Sequence, residues 1–278
     1  MIERVYNFGI NNELSGILTT AEPEHQKRHA PSLLFLNAGF LHKTGFNRFN
    51  TDLARQLSVY GYSSLRFDLH GLGDSASCPP SIDYEKQAVI DIQQAIDEVT
   101  EKCGTQKCII IGLCSGADFA HATAMIDSRI SGLVLMDGFA YRTLGYYIRD
   151  YGPGIINPYR SIRFVVNRIR KRFFSAPSEK NARRSNEVYF RSFPPKKQVI
   201  KQLQELIDRE VKLFFIYSGG IPLYYNYADQ FFDMFRSVKF KGMVFHRYFK
   251  EADHTYTIVS VRQKLKSAVS EWINYTFP

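Results

Sequence analysis

The chain has 278 residues, 45% of them hydrophobic, and a formal net charge of +9, room for one large domain or one domain with an insertion. No run of about 18 apolar residues occurs, and the opening MIERVYNFG carries no apolar h-region, so neither a membrane span nor a secretory leader is expected. The four cysteines, Cys78, Cys103, Cys108 and Cys114, show no repeated C-x-x-C spacing, which argues against a zinc site and for a reducing, cytoplasmic setting.

Met1 to Thr20 alternates apolar and polar residues about Asn11-Asn12, the pattern of a β-hairpin. Ala21 to Pro31 is a polar loop, and Ser32 to Asn37 reads as a buried strand. Phe46 to Tyr60 has Phe49, Leu53 and Leu57 near helical spacing and predicts a helix, ended by Gly61-Tyr62. Ser63 to Phe67 is the next strand, running into Asp68-Leu69-His70-Gly71-Leu72-Gly73-Asp74-Ser75. Tyr84 to Glu101 predicts an amphipathic helix on Val89, Ile92, Ile96 and Val99. Cys108 to Ile111 is a strand, Asp118 to Ile126 a helix, and Arg129 to Met136 a strand ending at Asp137-Gly138. After an interruption, Val211 to Ser218 and Met243 to Phe249 predict strands, and Val259 to Tyr275 a closing helix. Alternating strands and helices of this kind predict an α/β, doubly wound and mostly parallel sheet.

The centre of the chain is Gly112-Leu113-Cys114-Ser115-Gly116, between a β-branched strand and an apolar-faced helix. A sharp strand-to-helix turn needs small residues two before and two after its apex, where a Cβ would collide with a neighbouring element. The two glycines fit those places and make Cys114 the apex. There its side chain stands at the N-terminal end of the helix, whose positive pole favours a thiolate. The same spacing also fits a tight turn around an inert, buried cysteine.

Gly112-x-Cys114-x-Gly116 resembles the nucleophile elbow of the α/β-hydrolase family, in the cysteine form seen in dienelactone hydrolases. Two further stretches carry the resemblance: Asp68-x-x-Gly71-x-Gly73-x-Ser75, and Ala252-Asp253-His254-Thr255 between the last strand and the last helix. The L-R-F-D-L-x-G-x-G-D-S, G-L-C and A-D-H-T-Y stretches are most similar to hydrolases associated with exosortase and surface-polysaccharide clusters. The resemblance covers about residues 1–139 and 211–278. It implies Cys114 as nucleophile and His254 as general base. It implies an oxyanion hole from the backbone N–H groups of Ser115 and, by position, Phe40, with Gly39 giving room. The acid is open. The turn after the seventh strand, Gly219-Gly220-Ile221-Pro222, has no carboxylate, which leaves Asp137, at a position some members use, ahead of Asp229 with Asn226 nearby. Asp68 is expected to brace loops, and His70 to be structural.

Residues 140–210 are aromatic and basic. From Arg142 to Glu210 there are 16 Lys and Arg against 6 Asp and Glu, a net +10, so the rest of the chain is close to neutral. The family inserts its lid here, so the span is expected to be a helical cap that walls the substrate. Its charge implies an anionic partner, such as a carrier-protein or coenzyme A thioester, or else a solvated basic face. Nucleic-acid and membrane-surface binding rank lower, because no recognised module accompanies the charge. The expected activity is that of a cofactor-free, metal-free esterase, thioesterase or acyltransferase using Cys114, His254 and Asp137. The missing carboxylate after the seventh strand motivates the alternative, a non-catalytic binding protein on the same fold.

Overall fold

The computed structural model describes residues 1–27, 29–156 and 191–278. The hairpin forms from β1 (Ile2–Phe8) and β2 (Leu14–Thr20), with Asn11 and Asn12 both at positive φ in the turn. β3 (Ser32–Phe35), β4 (Ser64–Phe67), β5 (Cys108–Leu113), β6 (Ile130–Met136), β7 (Lys212–Ser218) and β8 (Val244–Phe249) follow. They make one sheet in the order β1-β2-β4-β3-β5-β6-β7-β8. β1 and β2 are antiparallel to each other, β2 is antiparallel to β4, and every later pairing is parallel. The helices are α1 (Phe49–Val59), α2 (Tyr84–Cys103), α3 (Ser115–Ile126), α4 (Leu144–Ile156), α5 (Lys196–Asp208), α6 (Gln230–Met234) and α7 (Val259–Thr276). No described helix is long and apolar enough to cross a membrane.

Both faces of the parallel strands are covered, which is why they read as continuous apolar runs rather than alternating ones. On β5, Ile109, Ile111 and Leu113 face a core shared with Leu53 and Leu57 of α1 and Leu265, Val269 and Trp272 of α7. Cys108 and Ile110 face the other core, with Ile92 and Ile96 of α2, Ala117 and Ala120 of α3, and Leu203 and Leu206 of α5. β3 is paired with β4 on one side and β5 on the other. The strand order therefore reverses between β3 and β5, and the loops leaving their carboxyl ends diverge to form a crevice, the place where open α/β sheets bind ligands.

α5 lies within the span that the sequence assigns to the cap. It buries Val199, Leu203, Leu206 and Ile207 against the sheet's own core. Arg209 just beyond it donates to the Ala124 and Asp127 carbonyls at the end of α3. Earlier in the span, the start of α4 is docked on the β7–α6 loop: Tyr146 Oη donates to the Pro222 carbonyl at 3.0 Å, and Arg142 Nε to that of Leu223 at 2.8 Å. The middle of the expected cap, 157–190, lies outside the described residues. Two helices start three residues away from the sequence reading. α3 starts at Ser115 rather than Asp118, because the chain enters the helix directly from the elbow. α1 starts at Phe49, because Asn47 and Arg48 take positive φ; the Asn47 side chain donates to the Thr255 carbonyl and ties this turn to the β8–α7 loop.

Candidate active site

Cys114 sits at the apex of the β5–α3 turn with φ 56° and ψ −120°, a conformation that costs a non-glycine residue of order 1–3 kcal/mol and persists only when its surroundings enforce it. Here they do. The Cys114 N–H is bonded to the Met136 carbonyl at 2.9 Å, and its own carbonyl accepts from Ala117 at 3.0 Å. A Cβ on Gly112 would overlap the backbone of Gly116, and one on Gly116 would overlap the Asn37 carbonyl oxygen. The two glycines are thus required by close backbone approach on either side of the apex.

The β3–α1 loop reaches the same place. Ala38 to Leu41 is a turn closed by the Leu41 N–H on the Ala38 carbonyl at 3.1 Å, with Gly39 at φ +54°. The Gly39 N–H donates to Ser115 Oγ at 2.9 Å and joins this loop to the elbow. The Phe40 side chain is exposed, and its backbone N–H has no partner among the described residues. The Ser115 N–H helps to bring the Cys114 thiol down.

Asp68 holds the loop from behind. Its fully buried carboxylate accepts from the Lys43 N–H at 2.6 Å, Asn37 Nδ2 at 2.8 Å and Lys43 Nζ at 2.7 Å, and Gly73 leaves it the necessary space. His42, Asp68 and Asp74 present potential metal-ligand atoms within 4.8 Å of one another. The Lys43 ammonium fills that position, 2.5 Å from Asp74 and 3.0 Å from His42 Nε2. His70 is buried between Asp91 (2.7 Å) and Glu13 (3.2 Å), bracing the hairpin to α2.

His254 lies in the β8–α7 loop. Asp253 shapes that loop by accepting from the N–H groups of Thr255 (2.9 Å) and Thr257 (3.0 Å) and from both threonine hydroxyls. Those bonds, Thr257 Oγ1 foremost, hold the Asp253 carboxyl down at about 2. The next aromatic, Tyr256, is fully buried against Phe46 and Phe249 and plugs the loop into the core.

The His254 Nδ1–H donates to Asp137 Oδ2 at 2.8 Å, and the imidazole and the Cys114 thiol each shift the other's pKa. The bond to Asp137, then the influence of Cys114, outweighs burial and raises His254 to about 10. Burial pushes the Cys114 thiol up. His254, the charge of Arg191 and the Ser115 N–H together overcome that and bring it below its ordinary value.

Asp137 is fully buried at the end of β6, at φ 47°. Its carboxylate accepts from the Ser218 N–H (Oδ1, 2.7 Å), Ser218 Oγ (Oδ2, 2.6 Å) and His254. Asp229 is exposed before α6, and Asn226 Nδ2 donates to the Tyr146 carbonyl; neither is bonded to His254. The carboxylate-free turn after β7 has its own reason. A Cβ on Gly220 would overlap the His254 N–H, and one on Gly219 the Lys250 carbonyl, so this turn gives up side chains to let the histidine loop press against it.

Sequence reasoning missed two residues. Ser218 is one. The other is Arg191, ahead of α5: its Nη1 donates to Cys114 Sγ at 3.7 Å, while Nε and Nη2 take the two oxygens of Asp118 at 2.5 and 2.8 Å. Its guanidinium rests 4.7 Å over Phe193, which packs on Phe139, Tyr141 and Tyr224. An excess of cations was visible in this span, but nothing in the local pattern singles out one arginine among sixteen basic residues.

The sheet order, the crossovers and the apical turn after β5 define an α/β-hydrolase fold. Solved structures of that fold align over nearly the whole chain. An esterase from Pyrococcus furiosus matches with a TM-score of 0.61 at 16% identity, over 100% of this chain and 91% of its own. A proline iminopeptidase from Mycobacterium smegmatis gives 0.58 at 15%, over 99% and 98%. A lid-less α/β serine hydrolase from Xanthomonas campestris gives 0.57 at 13%, over 99% and 95%. No protein-family model matches the chain, and no curated protein matches it in sequence.

Proposed function

We propose that the protein is an enzyme: a hydrolase or acyltransferase that acts on an ester or thioester through an acyl-Cys114 intermediate. The observation that carries this is His254 held between Asp137 and Cys114, with the cysteine strained at the N-terminal end of α3. The likeness to an esterase and to a serine hydrolase supports ester chemistry.

The reaction follows from the geometry. The thiolate attacks the acyl carbonyl carbon, and a C–S bond forms. The charge passes to the carbonyl oxygen, which takes the N–H groups of Ser115 and Phe40. His254, protonated at rest, gives its proton to the departing alkoxide or thiolate as the old C–O or C–S bond breaks. Water or an acceptor hydroxyl then attacks the thioester, His254 takes its proton, and the Cys114 thiolate leaves. Asp137 keeps the proton on Nδ1 and offsets the imidazolium charge. Cysteine suits transfer to a non-water acceptor, or opening of an activated ester. A cysteine nucleophile is also open to oxidation, which favours a reducing compartment.

For the acyl donor we assign an anionic carrier or coenzyme A thioester, on the net +10 between Arg142 and Glu210. Falling turnover at modest salt is the expected result. The cap, in this reading, ends near Pro195, since α5 packs as a core helix. The absent carboxylate after β7 no longer favours a non-catalytic protein, because Asp137 meets His254 instead.

The test is iodoacetamide labelling of the folded protein across pH, with peptide mass mapping. Cys114 is expected to label fastest, with an apparent pKa below the ~8.5 of a free thiol, and to lose that advantage in His254→Ala. Equal labelling of Cys114 and Cys78 would refute the reading.

A further inference from the structure

We propose that Arg191 is a catalytic residue of this site: clamped by Asp118, its guanidinium holds Cys114 as a thiolate. This rests on the reading of Cys114 as nucleophile, and adds to it a cation that His254 cannot replace.

Among the described residues, three contacts fix the guanidinium. Its Nε and Nη2 edge meets both oxygens of Asp118, a bidentate geometry that only arginine makes. Its flat face rests on Phe193, itself packed into the aromatic group of Phe139, Tyr141 and Tyr224. The remaining nitrogen, Nη1, points away from the Asp118 edge and reaches Cys114 Sγ. Asp118 lies four residues after Cys114 in the first turn of α3, so the clamp is built on the same rigid helix as the nucleophile. The Asp118 carboxylate is buried, and burial raises it even against the pull of Arg191. A carboxyl in that place has use for a permanent cation beside it, and Arg191 is never deprotonated.

The division of labour with His254 follows. The imidazolium stabilises the thiolate only while it keeps its proton, and gives that proton up in each turnover. Arg191 stabilises the same sulfur throughout. During acylation the negative charge leaves sulfur for the carbonyl oxygen, so a cation fixed at sulfur favours the reactant thiolate. Arg191 thereby raises the thiolate population at low pH and lowers the intrinsic nucleophilicity of each thiolate, as any fall in thiol pKa does. The charge of Arg191 is among the influences that bring the Cys114 thiol down. Because Arg191 precedes α5 and lies outside the sheet and its flanking helices, the ionisation of the nucleophile also depends on how this segment is seated.

The experiment measures the rate of Cys114 alkylation by iodoacetamide from pH 5 to 11 in the parent, in Arg191→Gln, and in Asp118→Asn/Arg191→Gln. The double variant removes both charges and so avoids leaving a buried carboxylate unpaired. In Arg191→Gln the acidic limb is expected to move up by about one unit, which makes labelling roughly three- to fourfold slower below both limbs, the roughly tenfold loss of thiolate being partly offset by its higher nucleophilicity. Above about pH 9 the rate should meet or exceed that of the parent. The double variant moves the same way by less, since the lost Asp118 charge offsets part of the change. A limb that stays put in both variants overturns the proposal. So does a drop in rate that is uniform at every pH, which would make Arg191 structural only. If the parent limb itself lies at or above about 8.5, the failure belongs to the nucleophile reading, and the parent trace alone identifies it.

Discussion

Ser218→Ala removes one oxygen atom and should disturb the site at a distance. Ser218 is fully buried at the end of β7. Its hydroxyl donates to Asp137 Oδ2 at 2.6 Å and accepts the Gly220 N–H at 3.1 Å. Removing a hydrogen bond to a charged group costs about 1.5–3 kcal/mol, and a backbone N–H left without a partner adds about 1 kcal/mol. The loss should therefore be roughly 2–4 kcal/mol, which for a chain of this size lowers the melting temperature by about 3–7 °C. Asp137 keeps the Ser218 N–H and His254, so the histidine stays in place and Cys114 labelling should slow less than tenfold. Urea unfolding followed by tryptophan fluorescence reports the stability; Trp272 is the sole tryptophan and packs against Phe214 in the core. Asp229→Asn, at the exposed carboxylate, serves as the control and should stay within about 0.5 kcal/mol. A Ser218→Ala protein as stable as the control would refute this role for the hydroxyl.

Asp137→Asn takes away the main support of the His254 pKa, so the upper limit of the thiolate–imidazolium window should fall from about 10 toward the 6.5 of an ordinary histidine, as read by NMR titration of that imidazole. Gly220→Ala places a methyl group on the His254 backbone and should slow Cys114 labelling while leaving the secondary structure seen by circular dichroism intact. At low pH, Glu3 and Asp253 are both held at about 2, Glu3 through its bond to Arg55 and Asp253 through Thr257. A depressed carboxyl stabilises the fold fully above its unfolded pKa and loses that contribution as pH falls through the folded one. Stability should thus decline between about pH 4.5 and 2, and Asp253→Asn should make that decline shallower in urea titrations at stepped pH.

The parts of the site legible in the sequence are those whose constraints are local. Gly112 and Gly116 flank Cys114 at fixed spacing because the elbow admits no Cβ on either side. Asp253, Thr255 and Thr257 alternate because one carboxylate ties the loop that carries His254. The crossovers were legible too, since β-branched runs and amphipathic stretches alternate along the chain. Ser218 and Arg191 were not legible, because what makes them matter is their distance from Cys114 and Asp137 in space: 81 residues separate Ser218 from Asp137, and 77 separate Arg191 from Cys114. The start of α3 was misplaced by three residues for a related reason. Ser115-Gly116-Ala117 looks like turn sequence, but the strain at Cys114 lets the helix begin at once.

The central claim is an acyl group carried by Cys114. The protein would be mixed with an activated ester or a coenzyme A thioester, quenched in acid within a second, and its peptides mapped by mass spectrometry. The expected result is the acyl mass on the Cys114 peptide and its absence from Cys114→Ala. Turnover of the same substrate by Cys114→Ala at the parent rate, with no adduct in either protein, would contradict it.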